Sequence, residues 1–216
     1  MTLTQGLING FFDQKCPEVV KALQKRGFEA LYFQTKEEAA EYILKEAEDA
    51  ASIGFGGSIT LAELNLYNRL KDTGKELLVH AKRGLSLEEV RQIMRKQLVC
   101  DLFLTSTNAL TFSGCLVNVD AAGNRAASMI FGPKKVIIVV GRNKLVVSIE
   151  EARSRIKDYV APLNSKNLGY DTPCAKTGSC MECSSPARIC NITTIIERRP
   201  RLTDIRVLLV NQDLGL

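Results

Sequence analysis

Four cysteines near the carboxyl end of the chain have a spacing that suits metal or redox chemistry. They follow the pattern Cys174-x5-Cys180-x2-Cys183-x6-Cys190. Four thiolates in one short loop can surround a tetrahedral Zn²⁺ ion or hold an iron–sulfur cluster, although this spacing matches neither common ferredoxin pattern. Redox-active thiols and structural disulfides are the alternatives. We interpret the four cysteines as metal ligands, with zinc and an iron–sulfur cluster both open as the cofactor.

A glycine-rich turn is the second candidate site. The run Gly54-Phe55-Gly56-Gly57-Ser58 stands between a predicted strand and a predicted helix. Glycines let the backbone approach an anion closely, and the free N–H groups of a helix amino terminus attract it. A tight turn capped by Ser58 or Thr60 is the alternative. The spacing fits neither a dinucleotide fingerprint nor a P-loop, so Gly56, Gly57 and Ser58 are assigned to an anion of unspecified kind.

Polar residues also follow two predicted strands further along the chain. The strand 102–105 runs into a polar segment, of which Thr105, Ser106 and Asn108 are candidate ligand contacts. The strand 136–140 is followed by Lys144, which could neutralise an anionic ligand. The alternatives are a self-bonded turn for the first segment and a solvated surface lysine for the second.

Asp120 is the candidate general base, because it is the only carboxylate between Asp101 and Glu150. Arg125 could clamp a carboxylate or phosphate with two hydrogen bonds. Its neighbour in the sequence, Asn124, is a further candidate ligand contact. The alternative is a loop in which Arg125 pairs with Asp120.

The elements that must position these residues alternate between strands and helices. Capping-box patterns open three predicted helices, and the continuously apolar strand 136–140 is typical of a parallel sheet covered on both faces. We therefore predict an α/β fold, a Rossmann-like and mostly parallel sheet with helices on both faces. One domain would span residues 1–216, with a main body at 10–163, a cysteine-rich loop at 164–190 and closing strands at 191–216. Ligands of such sheets bind beyond the carboxyl ends of the strands.

Composition limits the function classes. The chain has 216 residues, 45% of them hydrophobic, a net charge of +5 and one histidine, His80. A histidine-based triad is therefore not expected, and the basic residues are too dispersed to predict nucleic-acid binding. Apolar runs are shorter than the ~20 residues of a membrane span, and the amino terminus does not resemble a signal peptide. We expect a cytoplasmic protein that binds neither nucleic acid nor membrane, with a homodimer left open.

Several of these segments together resemble the LUD domain, the lactate utilization protein C family. The resemblance rests on GFGGS-x-T, on DLFLTSTNALT-x-x-G-x-LVNVD-x-x-GNR and on GPKKVIIVVG-x-NK. The tail TPCAKTGSCMECSSPARICN is similar to a cysteine-bearing branch of short LUD proteins. Glu63 lies inside a predicted helix and does not match a CoA-transferase nucleophile, so CoA transfer is not expected.

The resemblance implies a fold similar to the NagB, ribose-5-phosphate isomerase and CoA-transferase group. It also implies a component of a lactate-oxidising redox system, with iron–sulfur proteins as partners. By analogy with the fold group, the crevice would hold a small anionic ligand, a phosphate or carboxylate. Two other functions stay open: a non-catalytic metal-sensing or redox-sensing interaction protein, and an enzyme similar to a sugar-phosphate isomerase with Asp120 as its base.

Overall fold

Strands and helices alternate along most of the chain in this computed structural model, which describes residues 2–216. The strands are β1 (Glu29–Phe33), β2 (Ser52–Phe55), β3 (Glu76–Val79), β4 (Leu102–Ser106), β5 (Ala109–Thr111), β6 (Leu116–Asp120), β7 (Lys135–Gly141), β8 (Leu145–Val146), β9 (Ile192–Ile196) and β10 (Asp204–Val210). The helices are α1 (Leu3–Lys25), α2 (Lys36–Glu46), α3 (Ile59–Glu63), α4 (Leu66–Leu70), α5 (Leu87–Gln97), α6 (Asn124–Ile130), α7 (Ile149–Arg155), α8 (Ala161–Asn167) and α9 (Pro173–Thr177). A 3-10 turn, Arg142–Lys144, follows β7, and a π-helical turn, Ile156–Val160, joins α7 to α8.

Six strands form one parallel sheet in the order β1-β10-β7-β4-β2-β3. Each neighbouring pair is parallel, so the carboxyl ends of all six strands lie at one edge. Successive residues of the central strand face opposite sides: Val136 and Ile138 pack with α1, whereas Ile137 and Val139 pack with α2, α3 and α4. The predicted fold class, a mostly parallel sheet with helices on both faces, is confirmed.

A second sheet of four strands, in the order β8-β5-β6-β9, was not predicted. It includes antiparallel pairs, β5 with β6 and β6 with β9. Leu110 and Leu116 turn one of its faces toward the core that contains α1, and Val117 packs on the other side with Ala152 of α7. Sequence periodicity describes each strand separately and does not state which sheet it joins.

Local sequence explains where several helices begin and end. Thr35 and Ser86 each open a helix through a capping box, as the sequence predicts. Asn65, with φ of 53°, separates α3 from α4, so the helix expected beyond the glycine turn is broken in two. The segment 164–190 is not a loop throughout, because it contains the end of α8 and all of α9. None of the helices within residues 2–216 is both long enough and apolar enough to span a bilayer.

Candidate functional site

A crevice of about 560 Å³ opens at the carboxyl edge of the parallel sheet. Four strands deliver residues to it, because β2, β3, β4 and β7 all end there and the chain beyond each end turns into the opening. The second sheet and α6 form one side of the crevice, and the segment that carries the cysteines contributes another wall through Asn164, Leu168, Tyr170 and Ile189. This position is where ligands of open parallel sheets bind.

Most of the candidate ligand residues line this crevice: Gly57, Ser58, Ser106, Asn108, Asp120, Asn124, Arg125 and Lys144. Two candidates lie behind its surface. Thr105 is fully buried, and its hydroxyl donates to the carbonyl oxygen of Ser106. Gly56 is also buried, and a Cβ added there would lie 2.7 Å from Thr105 Oγ1. The glycine at position 56 therefore serves close packing of β2 against β4.

Lys144 forms the floor of the crevice and is only 4% exposed. Its Nζ donates to Thr60 Oγ1 at 2.8 Å and to Ser106 Oγ at 2.9 Å. Within residues 2–216, no carboxylate lies within ion-pair distance of this amine. A buried ammonium whose hydrogen-bond partners are both neutral is costly, because two hydroxyl groups replace only part of its hydration.

The surroundings of Lys144 favour its neutral form. Burial is the main cause that lowers its pKa from the ordinary value of 10.5 to about 7, and the positive charges of Arg155 and Arg125 lower it further. Glu63 opposes the shift. Arg155 itself donates to the carbonyl oxygens of Asn108 and Asn143, at 2.9 and 3.1 Å. The floor of the crevice is thus a region of positive potential that an anion would stabilise.

Arg125 pairs with Asp120, which is the alternative to ligand binding that the sequence analysis gave for this loop. Its Nε and Nη2 donate to Asp120 Oδ1 at 2.9 and 2.6 Å, and its Nη1 donates to Asn118 Oδ1 and the Ser106 carbonyl oxygen. Asn108 Oδ1 accepts a further bond from Nη2. Five N–H groups are available on a guanidinium, so Arg125 has no free pair with which to clamp a ligand.

Both carboxylate oxygens of Asp120 also accept hydrogen bonds from the protein. Its Oδ1 accepts from Arg125, and its Oδ2 accepts from the backbone N–H of Ala126 at 2.7 Å. Its side chain is 6% exposed, and that of Arg125 is 13% exposed. Because both oxygens are occupied, the geometry supports a positioning role for Asp120, which ties the end of β6 to the start of α6. Its role as a general base stays a prediction.

The crevice also has polar residues that were not among the candidates from the sequence, namely Thr60, His80, Lys82, Thr107, Asn164 and Tyr170. His80 follows the carboxyl end of β3, and its Nδ1 lies 3.1 Å from Gln97 Nε2. Burial lowers the pKa of His80, which favours the neutral imidazole. The signal that could have identified His80 is the same one that identified Ser106: a polar residue at the carboxyl end of a parallel strand.

The four clustered cysteines are not brought together as a metal site. All four carry free, half-buried thiols, and no group of three or more His, Cys, Asp or Glu side chains in residues 2–216 is arranged to hold a metal ion. Cys174 lies in α9, where its Sγ is 3.3 Å from Thr172 Oγ1. The donor types suit zinc or an iron–sulfur cluster, but their arrangement does not fit either one. A metal at these cysteines stays a prediction.

The fold and the crevice define an α/β protein with a positively charged crevice at the carboxyl edge of its parallel sheet. The sequence profile of the LUD domain family matches residues 16–210. The chain therefore belongs to the LUD domain family, which confirms the resemblance found in its sequence motifs.

The solved structures that are similar to this chain include these two. One is a DUF162 family protein from Deinococcus radiodurans, with a TM-score of 0.53 and 14% sequence identity; the match covers 92% of this chain and 97% of that one. The other is ribose 5 phosphate isomerase A from Neisseria gonorrhoeae, with a TM-score of 0.31 and 15% identity, covering 58% of this chain and 65% of that one. None of the curated proteins compared with the sequence matches it. The first likeness supports the fold alone.

Proposed function

We propose that this chain acts in lactate utilization and that its crevice binds a small organic anion of the lactate and pyruvate class. Membership of the LUD domain family supports the first part. The second part rests on one observation: Lys144 lies at the crevice floor, 4% exposed, with only hydroxyl partners. A carboxylate bound there would supply the counter-charge that the described protein residues do not provide.

The charges around Lys144 favour an anion over a neutral ligand. Arg155 is a second cation close to it, and its partners are carbonyl oxygens that carry no formal charge. Arg125 is neutralised by Asp120 and contributes less. An anion that enters the crevice therefore meets an excess of positive charge in partly desolvated surroundings, where electrostatic attraction is stronger than in water.

The remaining walls suit a small hydroxy or oxo acid. Ser58, His80 and Asn108 can hydrogen-bond a hydroxyl or carbonyl oxygen, whereas Val90 and Met94 offer apolar surface to a short carbon chain. Polar groups at a few positions on an otherwise apolar lining are typical of small-molecule sites. Iron–sulfur proteins as redox partners, and a metal at the four cysteines, remain predictions from the sequence.

The sugar-phosphate isomerase alternative receives less support. Such an enzyme needs a carboxylate that is free to remove a proton from carbon, and both oxygens of Asp120 already accept hydrogen bonds. The sensor alternative depends on the cysteine segment, which forms a wall of the crevice through Tyr170 and Ile189.

Ligand-observed NMR tests the proposed function. We expect saturation transfer to L-lactate and pyruvate and none to glycerol, which has hydroxyls but no charge. Binding should weaken at least about tenfold in Lys144→Met, because loss of one charge-assisted contact costs about 1.5–3 kcal/mol. Lys45→Met is the matched control, since Lys45 is exposed on α2 and does not line the crevice. Undiminished binding by Lys144→Met would remove the proposal.

A further inference from the structure

Both hydroxyl groups that contact Lys144 also lie near a backbone carbonyl oxygen to which they can donate. Thr60 Oγ1 donates to the carbonyl oxygen of Leu214 at 3.3 Å, and Ser106 Oγ donates to that of Thr107 at 3.4 Å. With its proton directed at that carbonyl oxygen, each hydroxyl offers a lone pair to Lys144 and accepts from its Nζ, at 2.8 Å for Thr60 and 2.9 Å for Ser106. Two N–H bonds of the amine are thus satisfied by the protein.

A neutral amine has just two N–H bonds, and its lone pair is then the group without a protein partner. Lys144 lines the crevice and its Nζ makes no third hydrogen bond within residues 2–216, so a ligand bound there would meet the amine. Nucleophilic lysines are activated in this manner, by desolvation and by a second cation nearby, and Arg155 is that cation here.

We propose that Lys144 is a nucleophile that forms an imine with the carbonyl carbon of a 2-oxo acid bound in the crevice. The inference rests on the proposed function and narrows it, because it names 2-oxo acids, and not 2-hydroxy acids, as the class that reacts covalently. Thr60 and Ser106 are positioning residues for the amine.

The chemical step balances without an oxidant or reductant. The lone pair of Nζ attacks the carbonyl carbon, and the electron pair of the C=O π bond moves to oxygen, which takes up a proton to give a carbinolamine. The carbon–oxygen bond then breaks, a C=N bond forms, and the two protons that began on the amine leave with the oxygen as water. A 2-hydroxy acid has no carbonyl carbon at that position and cannot react.

Charged groups from three elements face Lys144 and set the pH dependence. Arg155 of α7 and Arg125 of α6 favour the neutral amine, and Glu63 of α3 favours the ammonium. The Glu63 carboxylate is partly engaged, because its Oε2 accepts from the backbone N–H of Gly215 at 2.9 Å. Since only the neutral amine attacks, imine formation should increase with pH through the range in which Lys144 loses its proton, and the carboxylate of a bound 2-oxo acid moves that range upward because it raises the pKa of the amine.

Reductive trapping tests this on the unaltered protein. The full chain is incubated with pyruvate and sodium borohydride, and its intact mass and tryptic peptides are measured. The expected result is one carboxyethyl group per chain, located on Lys144, and none when lactate replaces pyruvate. Reading the modified residue in the wild-type chain removes any dependence on the folding of a variant. The exposed Lys82, which also lines the crevice, is an internal control.

Saturation-transfer NMR with pyruvate on the same sample separates the two proposals. Pyruvate that binds without an adduct, or with adducts spread over exposed lysines, would overturn the nucleophile and leave the anion site standing. Pyruvate that neither binds nor reacts would overturn both. An adduct confined to Lys144 that forms faster at about pH 8 than at about pH 6 is the outcome that supports the inference.

Discussion

Lys144 Nζ lies 2.9 Å from Ser106 Oγ, which connects the turn after β7 to the last residue of β4. The two strands are hydrogen-bonded neighbours in the parallel sheet, with Ser106 opposite Val139. The position of the amine is therefore fixed by the register of the most buried part of the molecule. A group held by rigid strands is pre-organised for a ligand, so binding carries only a small entropic cost for ordering the site.

The buried amine should make stability depend on pH. The pKa of Lys144 is lowered to about 7 in the folded chain, whereas in the unfolded chain it returns to about 10.5. Between these values the unfolded state binds more protons, so the free energy of unfolding rises with pH. We predict that Lys144 contributes about 2 kcal/mol to the rise between pH 7 and pH 9. Urea denaturation of wild type and Lys144→Met at both pH values measures this contribution.

The Lys144→Met chain should show a correspondingly smaller rise in stability over that range. Lys45→Met, altered at an exposed position, should follow the wild type at both pH values. Identical pH dependence in wild type and Lys144→Met would mean that Lys144 is fully charged in the folded protein, contrary to this account.

The ion pair between Asp120 and Arg125 should contribute strongly to the stability of the folded chain. Asp120→Asn removes the negative charge and leaves a mostly buried guanidinium without its counter-ion. We predict a loss of about 3 kcal/mol in the free energy of unfolding. Glu41→Gln is the matched control, because it breaks an ion pair with Arg69 that is much more exposed and should cost less than about 1 kcal/mol. Equal small losses in the two variants would argue against the positioning role of Asp120.

Gly56 and Gly57, which are adjacent in the turn after β2, should differ in how well each tolerates substitution by alanine. Gly56→Ala places a Cβ 2.7 Å from Thr105 Oγ1 and should lower stability by about 1–3 kcal/mol. Gly57→Ala meets only His80 Nε2, at 3.7 Å, and should change stability by less than about 0.5 kcal/mol. Thermal unfolding of the two variants side by side measures the difference, and the reverse order would contradict the packing described for Gly56.

The seven thiols should fall into two classes of reactivity. Burial raises the pKa of Cys16 to about 12 and that of Cys100 to about 11, and Cys115 is also buried. We predict that a disulfide reagent modifies four thiols of the native chain in the presence of a chelator, and all seven in denaturant. The buried thiols should react at least about a hundredfold more slowly, since only the thiolate is the nucleophile.

The same titration without chelator bears on the predicted metal at Cys174, Cys180, Cys183 and Cys190. With these thiols free, as in the structure, the chelator should make no difference. Protection of all four thiols in anaerobically isolated protein, together with stoichiometric zinc or with iron and sulfide, would show that the segment rearranges around a metal.

Much of the fold follows from sequence periodicity. The parallel sheet was predicted from the apolar strand at 136–140, and two of its helices were predicted from the capping boxes at Thr35 and Ser86. These predictions were possible because burial on two faces and helix initiation depend on local sequence. The second sheet could not be predicted in this way. Its pairing of β6 with β9 joins residues 116–120 to residues 192–196. The local sequence of a strand does not indicate which distant strand will pair with it.

The candidate site was predictable to a similar degree. The rule that ligands bind at the carboxyl edge selected Ser58, Ser106 and Lys144, and the structure places all three on the crevice. The rule did not predict that Lys144 is buried and hydrogen-bonded to Thr60. It also did not predict that the N–H groups of Arg125 donate to other protein residues and not to a ligand. Those facts depend on contacts between segments that are distant in the sequence.

The measurement that tests the central claim most directly is calorimetric titration of L-lactate at about pH 8 in two buffers with different ionisation enthalpies. Lactate has no keto group with which an amine could form an imine, so the experiment reports only the pairing of its carboxylate with Lys144. A bound carboxylate raises the pKa of the amine, and we predict that binding takes up close to one proton in the wild type and almost none in Lys144→Met. Lactate binding that is equally tight in both proteins, with no proton uptake in either, would contradict the account.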